Sequence, residues 1–322
     1  MEGYKKVNEE SKIPLVAVVG PTASGKSALA VELAIRFGGE VISADSMQIY
    51  KRMDIGTAKP TAEEMRGVTH HLINIAEPSE LFSVVDYVER AKACIEDICS
   101  RGKLPILAGG TGLYIRSLLQ GTLFSEGGRD ESVRRELAEK AEKEGAGPLW
   151  QELKSFDPES AERIHPNNIS RIIRAIEIYR VTGKTMTEQN QESHNLASPY
   201  RACMIGLCFE DRENLYRRIG ERVDQMMQAG LPEEAKNILA EANPKTALQA
   251  IGYKEFLPYL EGKITLEEAA AQIKLETRHY AKRQMTWFRR DREIHWLAVD
   301  SCGDFREIAE KAEQIVKREL CL

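Results

Sequence analysis

Residues 14–27 read PLVAVVGPTASGKS, an apolar run that ends in Gly20 and opens onto Pro21-Thr22-Ala23-Ser24-Gly25-Lys26-Ser27. The run is short and rich in β-branched residues, the composition of a strand buried on both faces of a parallel sheet. From Gly20 to Ser27 the octamer fits G-x-x-x-x-G-K-[ST], directly after this strand and at the start of a helical pattern. Each residue type has a task. Two glycines let the backbone curl until its N–H groups point inward, and the following helix N-terminus adds positive potential. Lys26 brings a compact charge to the phosphates, and Ser27 offers its hydroxyl to a magnesium ion. The loop implies a pyrophosphate or polyphosphate ligand without saying which.

Working outward, Ser27 to Phe37 has helical spacing at Leu29, Ala30, Leu33 and Ala34, and Gly38-Gly39 ends it. Glu40 to Ala44 reads as a second strand and Leu104 to Ala108 as a third, with a helix over Asp86 to Ser100 between them. Strands alternating with helices imply a parallel α/β sheet with right-handed crossovers. Near residue 125 the pattern changes to helical periodicity, carried from Asp130 to Tyr179. The polar stretch 183–199 reads as a loop, Arg201 to Phe209 as a strand rejoining the sheet, and everything after 211 as helices. The expected architecture is α/β: a P-loop NTPase-like parallel core from 1–124 and 200–322, helical at its C-terminal end, with a helical insertion at 125–199.

The 322 residues carry a formal charge of −5, so the protein is not basic all over, although a local basic groove would suffice for a nucleic acid. The opening MEGYKKVNEESKIPL lacks the apolar run of a signal peptide, and no stretch approaches a membrane span. None of the six cysteines forms a CxxC pair. A cytoplasmic protein with reduced thiols, no membrane partner and no feature calling for more than a monomer is the reading.

Two further loops follow strands, where open α/β sheets bind ligands. Asp45-Ser46-Met47-Gln48 follows the second strand, so Asp45 can face the P-loop ligand; its plainer role is a cap or turn. Gly109-Gly110-Thr111-Gly112 follows the strand at 104–108. His70 and His71 are adjacent, and neighbours in a strand point to opposite faces, which makes joint chelation of a metal unattractive. An apolar strand ending in Asp or Glu, which hydrolytic ATPases and GTPases use to hold magnesium, is missing.

Residues 274–292 hold Lys274, Arg278, Lys282, Arg283, Arg289, Arg290 and Arg292 against Glu276 and Asp291, with His279, Tyr280, Trp287 and Phe288 interleaved. Basic residues among planar rings suit RNA with unstacked bases; a solvated face with its rings in the core is the plainer alternative. Arg217, Arg218 and Arg222 add guanidiniums suited to bidentate phosphate contacts. A nucleotide kinase would share the P-loop, sheet and arginines, but needs neither DSMQ after the second strand nor this basic segment.

In order along the chain stand GPTASGKS, DSMQIY, HHLI, GGTGLY, NNISRIIRAIE, GLPEEAK, IGYKE and TRHYAKRQMTWFRRD. This series resembles the bacterial tRNA dimethylallyltransferases, across residues 14–292. The resemblance implies transfer of the dimethylallyl group of dimethylallyl diphosphate to the exocyclic amine of the adenosine 3′ of the anticodon, position 37. It implies that the P-loop holds the diphosphate, Asp45 takes the amine's proton, and Thr22, Lys26 and Arg218 serve the reacting groups. The anticodon stem-loop of tRNA is the implied partner and magnesium the implied cofactor. Implied tRNA contacts are Asp45, Ser46, Met47, Gln48, Thr111, Arg134, Asn167, Asn168, Ile169, Ser170, Arg171, and Ile251, Gly252, Tyr253, Lys254 and Glu255. Arg278, Lys282 and Arg283 join them from the basic segment.

Overall fold

The computed structural model describes residues 12–122, 130–194, 197–241 and 247–322. In chain order the elements are β1 (Ile13–Val19), α1 (Lys26–Phe37), β2 (Glu40–Ser43), α2 (Ala62–Met65), β3 (His70–His71), α3 (Val84–Ser100), β4 (Pro105–Ala108) and α4 (Gly112–Leu119). Then come α5 (Glu131–Glu144), α6 (Ala146–Phe156), α7 (Pro158–Arg163), α8 (Ile169–Thr182) and α9 (Met186–His194). The chain continues with β5 (Tyr200–Cys208), α10 (Arg212–Gln228), α11 (Leu231–Leu239), α12 (Leu257–Leu260), α13 (Leu266–Phe288), β6 (Ile294–Ala298) and α14 (Phe305–Leu320).

All six strands are parallel, in the order β3-β2-β4-β1-β5-β6. β1 lies near the centre, between β4 and β5, and its Leu15 to Val19 have no exposure at all. That burial on both faces is why the strand reads as a continuous apolar run rather than an alternation. Leu29, Leu33 and Ala34 of α1 pack with Val16, Ile106 and Ile205 of the sheet and with Ile308, Ala312 and Val316 of α14. The packing leaves no room over Gly20. Its φ is 137°, and an added Cβ would lie 2.5 Å from the carbonyl oxygen of Leu207.

The chain divides into two compact units, Met1–Leu118 with Pro199–Leu322, and Leu119–Ser198. The expected boundary at 124–125 falls outside the described residues. The second unit is helical, cored by Leu137, Leu149, Leu153, Ile172 and Ile176. At its centre Glu177, with no exposure, accepts hydrogen bonds from Asp130 N–H (2.8 Å), Arg134 Nε (2.7 Å) and Arg174 Nη1 (2.7 Å).

Three expectations were wrong. Part of 183–199 is helix α9, built on a Thr185–Glu188 hydrogen-bonded turn rather than left as a loop. The region after 211 is not all helix, because Ile294–Ala298 pairs with β5 as an edge strand. Its five residues, IHWLA, lie between charged stretches and are too short for periodicity to separate from helix. The run at 104–108 is also the fourth strand in sequence, since His70 and His71 form a two-residue strand beside β2.

Those histidines are tied to structure. His70 Nδ1 lies 2.9 Å from Val68 O, and His71 Nε2 lies 2.7 Å from Glu40 Oε2. Glu40, 2% exposed, also accepts from Arg101 Nη2 (2.8 Å) and Lys103 Nζ (2.7 Å), linking β2, β3, α3 and the approach to β4. Arg101 foremost, then Lys103 and His71, hold its carboxyl far below the usual range against the upward push of burial. A depressed carboxylate contributes stability above its unfolded pKa of about 4.3 and loses it as pH falls toward the folded value. We expect Glu40→Gln to lower unfolding free energy by ~1–3 kcal/mol at pH 7, by removing charged hydrogen bonds whose cations stay partly solvated. Urea denaturation at pH 7 and pH 4 checks it: the gap between variant and wild type should narrow at pH 4.

Candidate active site

Two cavities open around the carboxyl end of the first unit's sheet. One, a cleft of ≈ 880 Å³, runs along the P-loop from Ala23 to Ala28 and past Lys59, Glu64, Arg218 and Gln225. The other is a chamber of ≈ 300 Å³ that has Thr22, Asp45, Ser46, Met47, Tyr280 and Arg283 among its walls. Ala58, Arg222 and Met226 line both. Beside Arg222, α10 gives the chamber the apolar side chains of Ile219, Val223 and Met226.

The P-loop is held from outside. Gln284 of α13, 5% exposed, accepts from Thr22 N–H at 2.8 Å and donates to Gly110 O at 3.0 Å. A Cβ on Gly110 would sit 2.0 Å from Gln284 Nε2, so this second glycine loop exists to let α13 approach. Arg218 donates from Nε to Ala23 O at 3.0 Å and lies 5.8 Å from the Phe209 ring. Lys26 Nζ rests on Pro21 O at 2.6 Å. Ser24 Oγ is buried and lacks a protein partner, as a hydroxyl waiting for a ligand would be. Ser27 is exposed in the cleft.

Electrostatics mark the same place. Burial first, and Arg222 second, lower Lys26 to about 7, although Asp45 pulls it upward. Arg222 is itself lowered by burial, again opposed by Asp45. Three cations and one carboxylate thus share a site that wants an anion. Asp45 Oδ1 accepts from Met47 N–H at 2.9 Å, so its expected alternative as a turn residue is also realised. Thr111 Oγ1 accepts from Ser46 N–H at 3.0 Å and holds the loop that carries Asp45. Tyr280 is pushed upward by burial and by Asp45, and interacts with Thr111 and Gln284.

Several expected RNA contacts are placed otherwise. Gln48 is committed to structure, receiving from Ser43 Oγ (3.0 Å) and donating to Thr57 O and Ala58 O (3.3 and 3.2 Å). Tyr253 has no exposure and donates to Glu234 Oε1 at 2.7 Å, while Glu255, 6% exposed, receives Gly252 N–H at 2.8 Å. Both side chains are buried and hold their own loop, whereas Ile251, Gly252 and Lys254 line the chamber. Arg278 is half-buried 5.3 Å from the Tyr216 ring, whereas Lys282 and Arg283 are exposed. In the second unit Asn167, Ile169, Ser170 and Arg171 are exposed at the start of α8, with Asn168 capping it through Arg171 N–H at 3.3 Å. Arg134 is bound to Glu177.

Sequence reasoning noticed Arg222 without putting it in the site, although its i, i+4 spacing from Arg218 places both on one helical face. Gln284 had no such signal. Among the described residues no cluster of three or more His, Cys, Asp or Glu side chains stands ready for a metal. No described helix is long and apolar enough to cross a membrane.

A model of the IPP transferase family matches residues 48–291, starting beyond the P-loop. The chain is 51% identical over 308 residues to a tRNA dimethylallyltransferase of Thermoanaerobacter sp. (strain X514), covering 95% of this chain and 97% of that relative. A tRNA dimethylallyltransferase of Geobacter metallireducens is 52% identical over 305 residues, 94% and 97% of the two chains. The crystal structure of a tRNA isopentenylpyrophosphate transferase from Bacillus halodurans matches with TM-score 0.70 and 45% identity, over 96% of this chain and 98% of that one. A eukaryotic dimethylallyltransferase acting on tRNA matches with TM-score 0.80 and 31% identity, over 93% and 77%.

The lowered Lys26 gives a signed expectation. A bound diphosphate restores the lysine's charge and raises its pKa, so binding above pH 7 takes up a proton. Affinity should fall with rising pH between the free and bound pKa values, by up to about tenfold per unit. Calorimetry at pH 8 in buffers of different ionisation enthalpy should register about one proton more for wild type than for Lys26→Met. Equal uptake by both would remove Lys26 as its source.

Proposed function

The chain belongs to the IPP transferase family, and from that premise we propose that it moves the dimethylallyl group of dimethylallyl diphosphate onto the exocyclic amine of adenosine 37 in tRNA. The observation that carries this reading is the pair of neighbouring cavities that share Ala58, Arg222 and Met226 in their lining. One offers cations to a diphosphate; the other offers an apolar wall and a carboxylate to a prenyl group and a base.

The bond between prenyl C1 and the diphosphate oxygen breaks, the bond from the amine nitrogen to C1 forms, and the amine loses a proton. That amine is a weak nucleophile because its lone pair is delocalised into the ring. Asp45 accepts the proton. Charge grows on the departing diphosphate, where Lys26, Arg218, Arg222 and the backbone amides of Ala23–Ser27 meet it. Thr22 and Thr111 orient the reacting groups.

The donors present fit a magnesium ion that keeps several waters: the exposed Ser27 hydroxyl in the cleft, with diphosphate oxygens completing the set. Ser27 would hold it, and the ion would supply further neutralisation of the diphosphate. The target base must leave its stack, at a cost of a few kcal/mol that contacts with the anticodon stem-loop offset. For those contacts we assign Ser46, Met47, Ile251, Gly252, Lys254, Lys282 and Arg283 in the first unit. In the second we assign Asn167 to Arg171 and Arg134, and we take the working form to be a cytoplasmic monomer.

Incubation with labelled dimethylallyl diphosphate, magnesium and unmodified tRNA should give labelled RNA. No label, together with tighter binding of ATP than of the prenyl diphosphate, would favour a nucleotide kinase instead. In single-turnover experiments with both substrates bound, Asp45→Asn should slow transfer by about 10²–10⁴ while diphosphate binding barely changes. A near-normal chemical step would leave Asp45 only its turn. Replacing Lys282 and Arg283 by alanine should weaken tRNA binding and flatten the plot of log K against log salt by about 0.7–0.9 per lost phosphate contact. An unchanged slope would make these two a solvated face.

A further inference from the structure

Between the two cavities runs a loop whose position depends on one carboxylate. Glu234, in the first turn of α11, accepts from three successive backbone N–H groups: Asp54 (2.9 Å to Oε2), Ile55 (2.8 Å to Oε2) and Gly56 (2.9 Å to Oε1). Its Oε1 also accepts the buried Tyr253 hydroxyl at 2.7 Å. Tyr253 closes the space behind the loop, since a Cβ on Gly56 would lie 2.6 Å from its ring. From the other side Gln48 holds Thr57 O and Ala58 O, and Thr57 Oγ1 donates to Met53 O at 2.5 Å. The loop is thus fixed on both flanks. Its Gly56, Thr57 and Ala58 line the chamber, and Ala58 also faces the P-loop cleft, as does Met226 from α10.

The proposed reaction supplies the rest of the argument. The allylic C1 has to lie near Thr22 and Asp45, and the chamber that they line is also walled by Gly56, Thr57, Ala58 and Met226, so the hydrocarbon shares that chamber with the loop. Ligand sites commonly measure roughly 300–1,000 Å³, which puts a chamber of ≈ 300 Å³ at the small end. That volume must admit the edge of a base as well as the prenyl group. A second five-carbon unit would need the wall to move, and a loop with three amides on one carboxylate resists moving. Without that carboxylate the three amides, two of them part-buried, would each lose a charged hydrogen bond.

We propose that the loop 54–58 is the length gauge for the allylic diphosphate, with Glu234 as its positioning residue, so that five-carbon donors are accepted and ten-carbon donors refused. Glu234 touches no substrate and acts through the loop. The inference rests on the prenyl-transfer reading above.

The test compares kcat/KM for dimethylallyl diphosphate and geranyl diphosphate, with the same tRNA, in wild type, Glu234→Ala and Glu234→Gln. Glu234→Ala frees the loop and should shift the ratio toward geranyl at least tenfold, mainly by improving geranyl KM relative to dimethylallyl. Glu234→Gln keeps one of the two acceptor oxygens and turns an NH2 toward donors at the other, so its ratio should fall between wild type and Glu234→Ala. Should Glu234→Ala fail to fold by circular dichroism, Met226→Ala opens the same wall from α10 and should shift the ratio in the same direction. A parallel loss with both donors at an unchanged ratio, in whichever of the Glu234→Ala and Met226→Ala variants folds, would overturn the gauge. Wild type that transfers neither donor would instead overturn the reaction itself.

Discussion

Lys26, Arg218 and Arg222 converge on one cleft, where burial lowers both Lys26 and Arg222 and the charge of Arg222 lowers Lys26 further. Charges gathered this way repel until an anion arrives, so the fold must hold them in place by other means. It does so with carbonyls and rings: Pro21 O for Lys26, Ala23 O and the Phe209 face for Arg218. Asp45 is the one carboxylate that raises both Lys26 and Arg222. It is thus the counter-charge of the cation cluster, and it is also the group proposed to take the amine's proton.

Helix α13 shows how such a site can be gripped without being blocked. Its inner face sends Gln284 between the P-loop and the Gly109–Gly112 loop, where its two hydrogen bonds span two carboxyl-end turns of the sheet. Its outer face exposes Lys282 and Arg283. One helix thus carries both the brace for the donor loop and the charge proposed for the acceptor. A lysine in place of Gln284 would add a fourth cation; a leucine would leave Thr22 N–H and Gly110 O unsatisfied. Only a neutral side chain with one donor and one acceptor suits the position.

Glu40, Glu177 and Glu234 repeat one device at three places. Each is a carboxylate on which several donors converge, and each fixes chain segments distant in sequence: Glu40 the strand edge, Glu177 the helical unit, Glu234 the loop beside the chamber. The local sequence around them looks ordinary. EV, AIEI and PEEAK each read as a strand edge or a helix with a surface acid.

By itself the sequence determined the elements whose signal is local. β1, the P-loop and α1 were legible because a doubly buried strand, two glycines and a lysine at fixed spacing leave few other readings. The helical character of 130–179 was legible for the same reason, through its periodicity. The order of motifs pointed to the family, and Asp45 was legible from its position after β2. Tertiary structure alone decided which residues face one another across long stretches of chain. It brought Gln284 to Thr22, 262 residues away, and Glu234 to Gly56, 178 residues away. It gave Tyr253, Glu255 and Gln48 partners that hold loops together, and it made a strand of Ile294–Ala298. Propensity and spacing report on neighbours along the chain, whereas a hydrogen bond or a buried wall depends on whatever the fold puts opposite, and one side chain's identity does not encode that.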